Sequence, residues 1–153
     1  MTPGGVGVGA VQKPGIYAKG GLDFLSLFRE ASEGLPQDVG AVATFLGVVK
    51  NVGKDDRPVV HLEMQSYETH ANRVIQQICA ETEQRYQLGF VRIYHLVGEF
   101  EVGEGVVFVA AGGRSRDRVF AGLREAVERY KAEPALFKKE QYADGSHEWI
   151  RHA

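Results

Sequence analysis

From Leu22 onward the chain runs three times through one pattern, a helix-period segment followed by two strand-period segments. "LDFLSLFREA" places Leu22, Leu25 and Phe28 at helical spacing with Phe24 beside them, and "GLPQDVG" ends the helix. "VGAVATFLGVVK" is apolar on both faces, as a buried strand is. After the polar turn "NVGKDDRP", "VVHLEMQSY" alternates, with Val60, Leu62 and Met64 expected inward. Residues 68–86 return to the helical period, with Val74, Ile75, Ile78 and Thr82 on one side and Cys79 in that neighbourhood as a small core residue. "FVRIYHLVG" and "VVFVAAGG", joined by a short "EFEVGEG" link, read as two more strands. A third helix spans Ser115 to Lys131, with Val119, Leu123, Val127 and Tyr130 inward. "LFKKEQYADGSHEWI" then forms two short strands around an Asp144–Gly145 turn. This order predicts an α+β protein, its helices packed on a largely antiparallel sheet.

At 153 residues the chain is long enough for one domain with a real core. No linker divides it, so a single domain is expected over 21–153, preceded by a flexible glycine-rich leader at 1–20. The leader's "GGVGVG" lacks the G-x-x-x-x-G-K-[ST] pattern of a phosphate loop, and no strand precedes it. A net charge of −2 gives no field that would draw nucleic acid or a membrane surface, so any anion site must be a local cluster. The single cysteine excludes an intrachain disulfide and a thiolate metal cage. No apolar run approaches the ~20 residues of a membrane span, and "MTPGGVGVGA" lacks the basic start and apolar run of a secretory signal. A cytoplasmic setting is expected.

Four constellations could carry chemistry. The histidines, His61, His70, His95, His147 and His152, do not pair at metal-ligand spacing, so neither a metal nor a resident cofactor is expected. His95, within a strand, reads as a core or edge histidine. Ser115 has no G-x-S-x-G elbow and sits where a helix cap is needed. In "GGRSRDRVF", Gly112 and Gly113 permit close backbone approach, and Arg114, Arg116 and Arg118 crowd the positive end of a helix. Their compensation is either an anionic ligand or Asp117 and neighbouring carboxylates. "KAEPALFKKE" gathers Lys131, Lys138 and Lys139 around a short apolar run. Lys138 and Lys139 must point to opposite faces of their strand. If Lys131 and Lys138 converge, each disfavours the other's charge, and such an amine can act as base or nucleophile near neutral pH. Arg116 and Lys131 lie fifteen residues apart on one helix, about 22 Å. They can share a small ligand only across a subunit interface.

The segments "GAVATFLGVVKN", "LEMQSYETHANRVIQQICAETEQRY", "IYHLVGEFEVGEGVVFVAA", "RSRDRVFAGLREAVERYK" and "FKKEQYADGSHEWI" together resemble the large, catalytic subunit of molybdopterin synthase, over roughly residues 40–150. The seven-residue Lys131–Lys138 spacing is the most specific part. The resemblance implies an α/β hammerhead fold with an added antiparallel subdomain. It also implies a homodimer that binds two small ubiquitin-like sulfur-carrier subunits, giving a heterotetramer. The carrier's C-terminal Gly-Gly thiocarboxylate would deliver sulfur to cyclic pyranopterin monophosphate and form the dithiolene of molybdopterin. Lys131 and Lys138 stand at the family's two key lysines, with Lys131 expected as the primary catalytic group. Arg116 stands at an arginine that reaches the pocket from the other subunit. Lys50, Ser115 and Lys139 complete the expected substrate contacts. Lys50 stands where arginine is usual, Ser115 where histidine is usual, Phe137 where tryptophan is usual, and Leu96 where arginine follows the histidine. Against this stand two simpler readings, a ferredoxin-like binder of small anions without catalysis and a dimeric scaffold.

Overall fold

The computed structural model describes residues 11–151, with the side chain of Arg151 excluded. Its elements are β1 (Gly15–Ala18), α1 (Phe24–Ser32), β2 (Ala41–Val48), β3 (Val59–Ser66), α2 (Glu68–Tyr86), β4 (Phe90–Glu101), β5 (Gly105–Gly113), α3 (Arg116–Ala132), β6 (Leu136–Tyr142) and β7 (His147–Arg151). The mixed α+β class expected from periodicity is the one observed.

The long strand β4 organises the molecule. Its first half, Phe90–His95, pairs antiparallel with β5, and its last four residues, Gly98–Glu101, pair antiparallel with β3. β2 lies outside β5, while β6 and β7 follow β3, so the strand order is β2-β5-β4-β3-β6-β7. Gly98, at φ 132°, marks the point where β4 passes from the first set of partners to the second. That backbone conformation is one side chains rarely adopt. The helix-strand-strand repetition therefore yields two sheet halves sharing one strand, rather than the ferredoxin-like layout of the simpler reading.

Strand alternation puts the helices on opposite faces of the first half. Val91, Ile93 and Val109 face α2 and α3, meeting Ile75, Ile78 and Val119 in one core cluster. Phe90, Tyr94 and Phe108 face α1, meeting Leu27 and Ala31. A third cluster, of Val49, Leu62, Met64, Leu96 and Phe100, lies beneath the second half. Phe100 is fully buried there. Phe100→Ala is expected to destabilise the protein by about 3–5 kcal/mol, through lost burial and a residual cavity. Chemical denaturation read by circular dichroism measures it, and a loss under 1 kcal/mol would contradict this account of the junction.

Several expectations are corrected. The leader was placed at 1–20; residues 1–10 lie outside the described residues, but Gly15–Ala18 forms a strand parallel to Tyr94–Val97 of β4. Ile16 is buried, and its N–H donates to the Asn72 side chain at 2.7 Å. No local pattern announces this pairing, because its partner lies some eighty residues away. Val60 is half exposed, since the register slips between Val59 and His61 and turns it outward. The "EFEVGEG" link is largely strand, with Glu99–Glu101 inside β4. α1 buries Leu27 and Ala31, leaving Leu25 and Phe28 toward solvent. In α2, Cys79 is more deeply buried than Val74, and burial pushes its thiol up to about 12, consistent with a core residue.

Candidate active site

α3 runs unbroken from Arg116 to Ala132, beginning at Ser115 in extended conformation. Its last turns are fastened to α2 by Arg129, which donates to Glu81 at 2.8 Å and to Glu133 at 2.7 Å. Those partners raise the guanidinium's already high pKa. This clamp fixes the end of the helix that carries Lys131. Pro134 then stops the helix, and the chain turns back into β6.

Along β6 the pleat sends Leu136, Lys138, Glu140 and Tyr142 to one face. On the other side, Lys139 faces Glu63 at 3.9 Å and lies 5.8 Å from the centre of the Trp149 ring. The inner face opens on a cavity of about 290 Å³ between the two sheet halves. Lys131 from the end of α3, Lys138 from β6 and Lys50 from just beyond β2 all line it. Its walls also include His95, Tyr130 and Glu140. His95 is buried, its Nδ1 2.9 Å from the Leu96 carbonyl oxygen and its ring edge-on to Tyr130. Burial pushes the Tyr130 phenol up to about 12, so it remains a neutral donor. Three ammonium groups around a partly apolar cavity suit a small anionic ligand. Among the described residues, no three His, Cys, Asp or Glu side chains gather to hold a metal.

The other site residues named from sequence lie elsewhere in this chain. Lys139 lies on the opposite face of β6 and does not line this cavity, as the same alternation that places Lys138 inside requires. Ser115 and Arg116 are exposed at the far end of α3. Ser115 occupies the cap position but makes no side-chain cap bond. Gly112 and Gly113 do not open a ligand cradle. A Cβ at the first would strike the Phe90 ring, and one at the second would strike Leu88, so both glycines serve sheet and helix packing. Glu140 was not among the expected site residues, although its two-residue offset from Lys138 on a strand places both on one face.

The architecture and the lysine-lined cavity at the junction of the sheet halves define a class. The chain shares its fold with a molybdopterin synthase crystal structure from Staphylococcus aureus, at a TM-score of 0.79 and 22% identity, covering 91% of this chain and 97% of that one. The chain belongs to the MoaE protein family, whose model matches residues 22–133. A molybdopterin synthase catalytic subunit from Nostoc sp. is 37% identical over 141 residues, 90% of this chain and 85% of that protein. The fold also matches, at a TM-score of 0.66 and 17% identity over 85% of this chain and 84% of that one, a chain in a complex of subunits 1 and 2 of molybdopterin-converting factor from Helicobacter pylori.

Proposed function

We propose that this chain is the catalytic subunit of a molybdopterin synthase, transferring sulfur from the thiocarboxylated Gly-Gly terminus of a small ubiquitin-like subunit to cyclic pyranopterin monophosphate. The observation that carries the reading is the convergence of Lys50 with Lys131 and Lys138, from a segment far earlier in the chain, on one cavity. The thiocarboxylate and the substrate phosphate are both anionic, and attack at either centre builds negative charge that fixed ammonium groups stabilise. Lys131 is the primary catalytic group, and Lys138 is the second. Lys50 binds the substrate anion as a point charge, without the two-pronged hydrogen bonding an arginine would give.

Two further assignments complete the reading. Arg116 serves the cavity of a second copy, because the straight helix between Arg116 and Lys131 measures about 22 Å. A homodimer with two carrier subunits accommodates that geometry, with Ser115 beside Arg116 at the shared site. An apolar groove of about 430 Å³, holding Phe45, Phe120, Leu123 and Val127 beside Lys131, offers a surface for such association. No helix among the described residues is long and apolar enough to cross a membrane, and a cytoplasmic setting fits the one cysteine, free and buried.

The deciding experiment combines the chain with a thiocarboxylated ubiquitin-like Gly-Gly protein and the pterin precursor. Co-elution and dithiolene formation are expected. Stabilisation by small anions with no binding to the Gly-Gly protein would instead make the chain an anion sensor and overturn the proposal.

A further inference from the structure

We propose that Glu140 is a positioning residue for the reaction, one carboxylate that holds both Lys138 and the loop bearing Lys50. The assignment rests on the reading of the cavity as a sulfur-transfer site. Glu140 is a charged side chain inside the core, 4% exposed. Its Oε1 accepts the Lys54 backbone N–H at 3.0 Å and the Tyr142 hydroxyl at 2.8 Å. Its Oε2 lies 3.8 Å from Lys138 Nζ, within the cavity wall. A buried carboxylate is costly unless paired and hydrogen-bonded, and each of these contacts lowers that cost.

The loop contact is built in closely. Gly53 sits against the carboxylate so tightly that a Cβ there would collide with it. Asp55 and Asp56 adopt positive φ, 57° and 58°, which costs energy in residues other than glycine and needs external support. That support includes Lys54 Nζ to Glu148 at 2.9 Å and the Arg57 guanidinium 3.6 Å above the Tyr142 ring. The 51–57 segment therefore arrives at Glu140 in one geometry, with Lys50 at its start on the cavity rim. Burial and the Glu140 carboxylate push the Tyr142 phenol up to about 12, so it stays a hydrogen-bond donor to Glu140 through the working pH range.

The charged and titratable groups around this carboxylate are Tyr142 and Lys138 on its own strand, Lys50, Lys54 and Arg57 from the loop, Lys131 from α3, His95 from β4 and Glu148 from β7. Among these groups Glu140 is the carboxylate that pairs with Lys138.

The test compares Glu140→Gln with wild type in the full chain, using lysine labelled at Cε and NMR at one fixed pH. Glutamine keeps an acceptor for the Lys54 N–H and removes the charge. The Lys138 Cε resonance is expected to move in Glu140→Gln, while that of Lys139 on the opposite face stays in place. In single-turnover assays the variant is expected to form dithiolene at least ~10-fold more slowly, because the ammonium is no longer held in place. Hydrogen exchange at the Lys54 amide is expected to accelerate at least ~10-fold in Glu140→Ala and to stay slow in Glu140→Gln. If Glu140→Gln does not fold, Glu140→Asp, which draws the carboxylate back from Lys138, must move the same resonance in its place. A Lys138 resonance unchanged by the substitution overturns the positioning role whatever the turnover. A wild-type protein that forms no dithiolene with the thiocarboxylated partner overturns the function reading and leaves the NMR result standing.

Discussion

Replacing Lys131 by alanine is expected to lower dithiolene formation at least ~100-fold, the usual contribution of a positioned acid–base group. The thermal midpoint should barely move, because Lys131 is exposed in the last turn of α3 and contributes to the fold only a favourable helix-end charge. Single-turnover conversion of the pterin precursor by thiocarboxylated carrier measures the effect. The variant should still bind the carrier, since the ammonium acts on the reacting atoms within the cavity and not on the docking surface. Product formed at a near wild-type rate would remove Lys131 from the mechanism and leave Lys138 as the main candidate.

Arg116→Ala is expected to reduce turnover by about 10- to 100-fold, through loss of a charge-assisted, two-pronged contact to an anion. Its effect has a second, sharper consequence. Within one chain Arg116 and Lys131 are held apart by the length of α3, so a shared site must draw them from different copies. Arg116→Ala and Lys131→Ala proteins, each impaired alone, should recover activity when unfolded together and refolded. Random pairing makes half the dimers mixed, and each mixed dimer carries one intact site of two, so about a quarter of wild-type turnover should return. Turnover no higher than the single variants would place Arg116 outside the partner's site and leave its role to local helix electrostatics.

The separation of Lys138 from Lys139 was legible from sequence, because a strand turns successive side chains to opposite faces. Equally legible was the distance from Arg116 to Lys131, fixed by the rise of a helix. The glycines before α3 misled. They signal close approach, but not whether a ligand or the Phe90 and Leu88 side chains approach. Leu25 and Phe28 misled in a related way. Helical spacing identified a face of α1, while the sheet took the neighbouring one bearing Leu27 and Ala31. Val60 fell outside simple alternation because one register slip reverses which residues of a strand point inward.

By itself the sequence determined the order of the elements from α1 onward, the mixed α+β class and the separation of Lys138 from Lys139 across β6. Each of these is a local property, set by backbone period and by where proline and glycine interrupt it. Only the tertiary structure decided that β1 docks beside β4, that Lys50 joins the two later lysines, and that the Glu140 carboxylate meets the Lys54 amide. Those meetings join residues far apart in the chain. They follow from how β4 is shared between the two sheet halves and from the burial that sharing achieves, which no local period encodes.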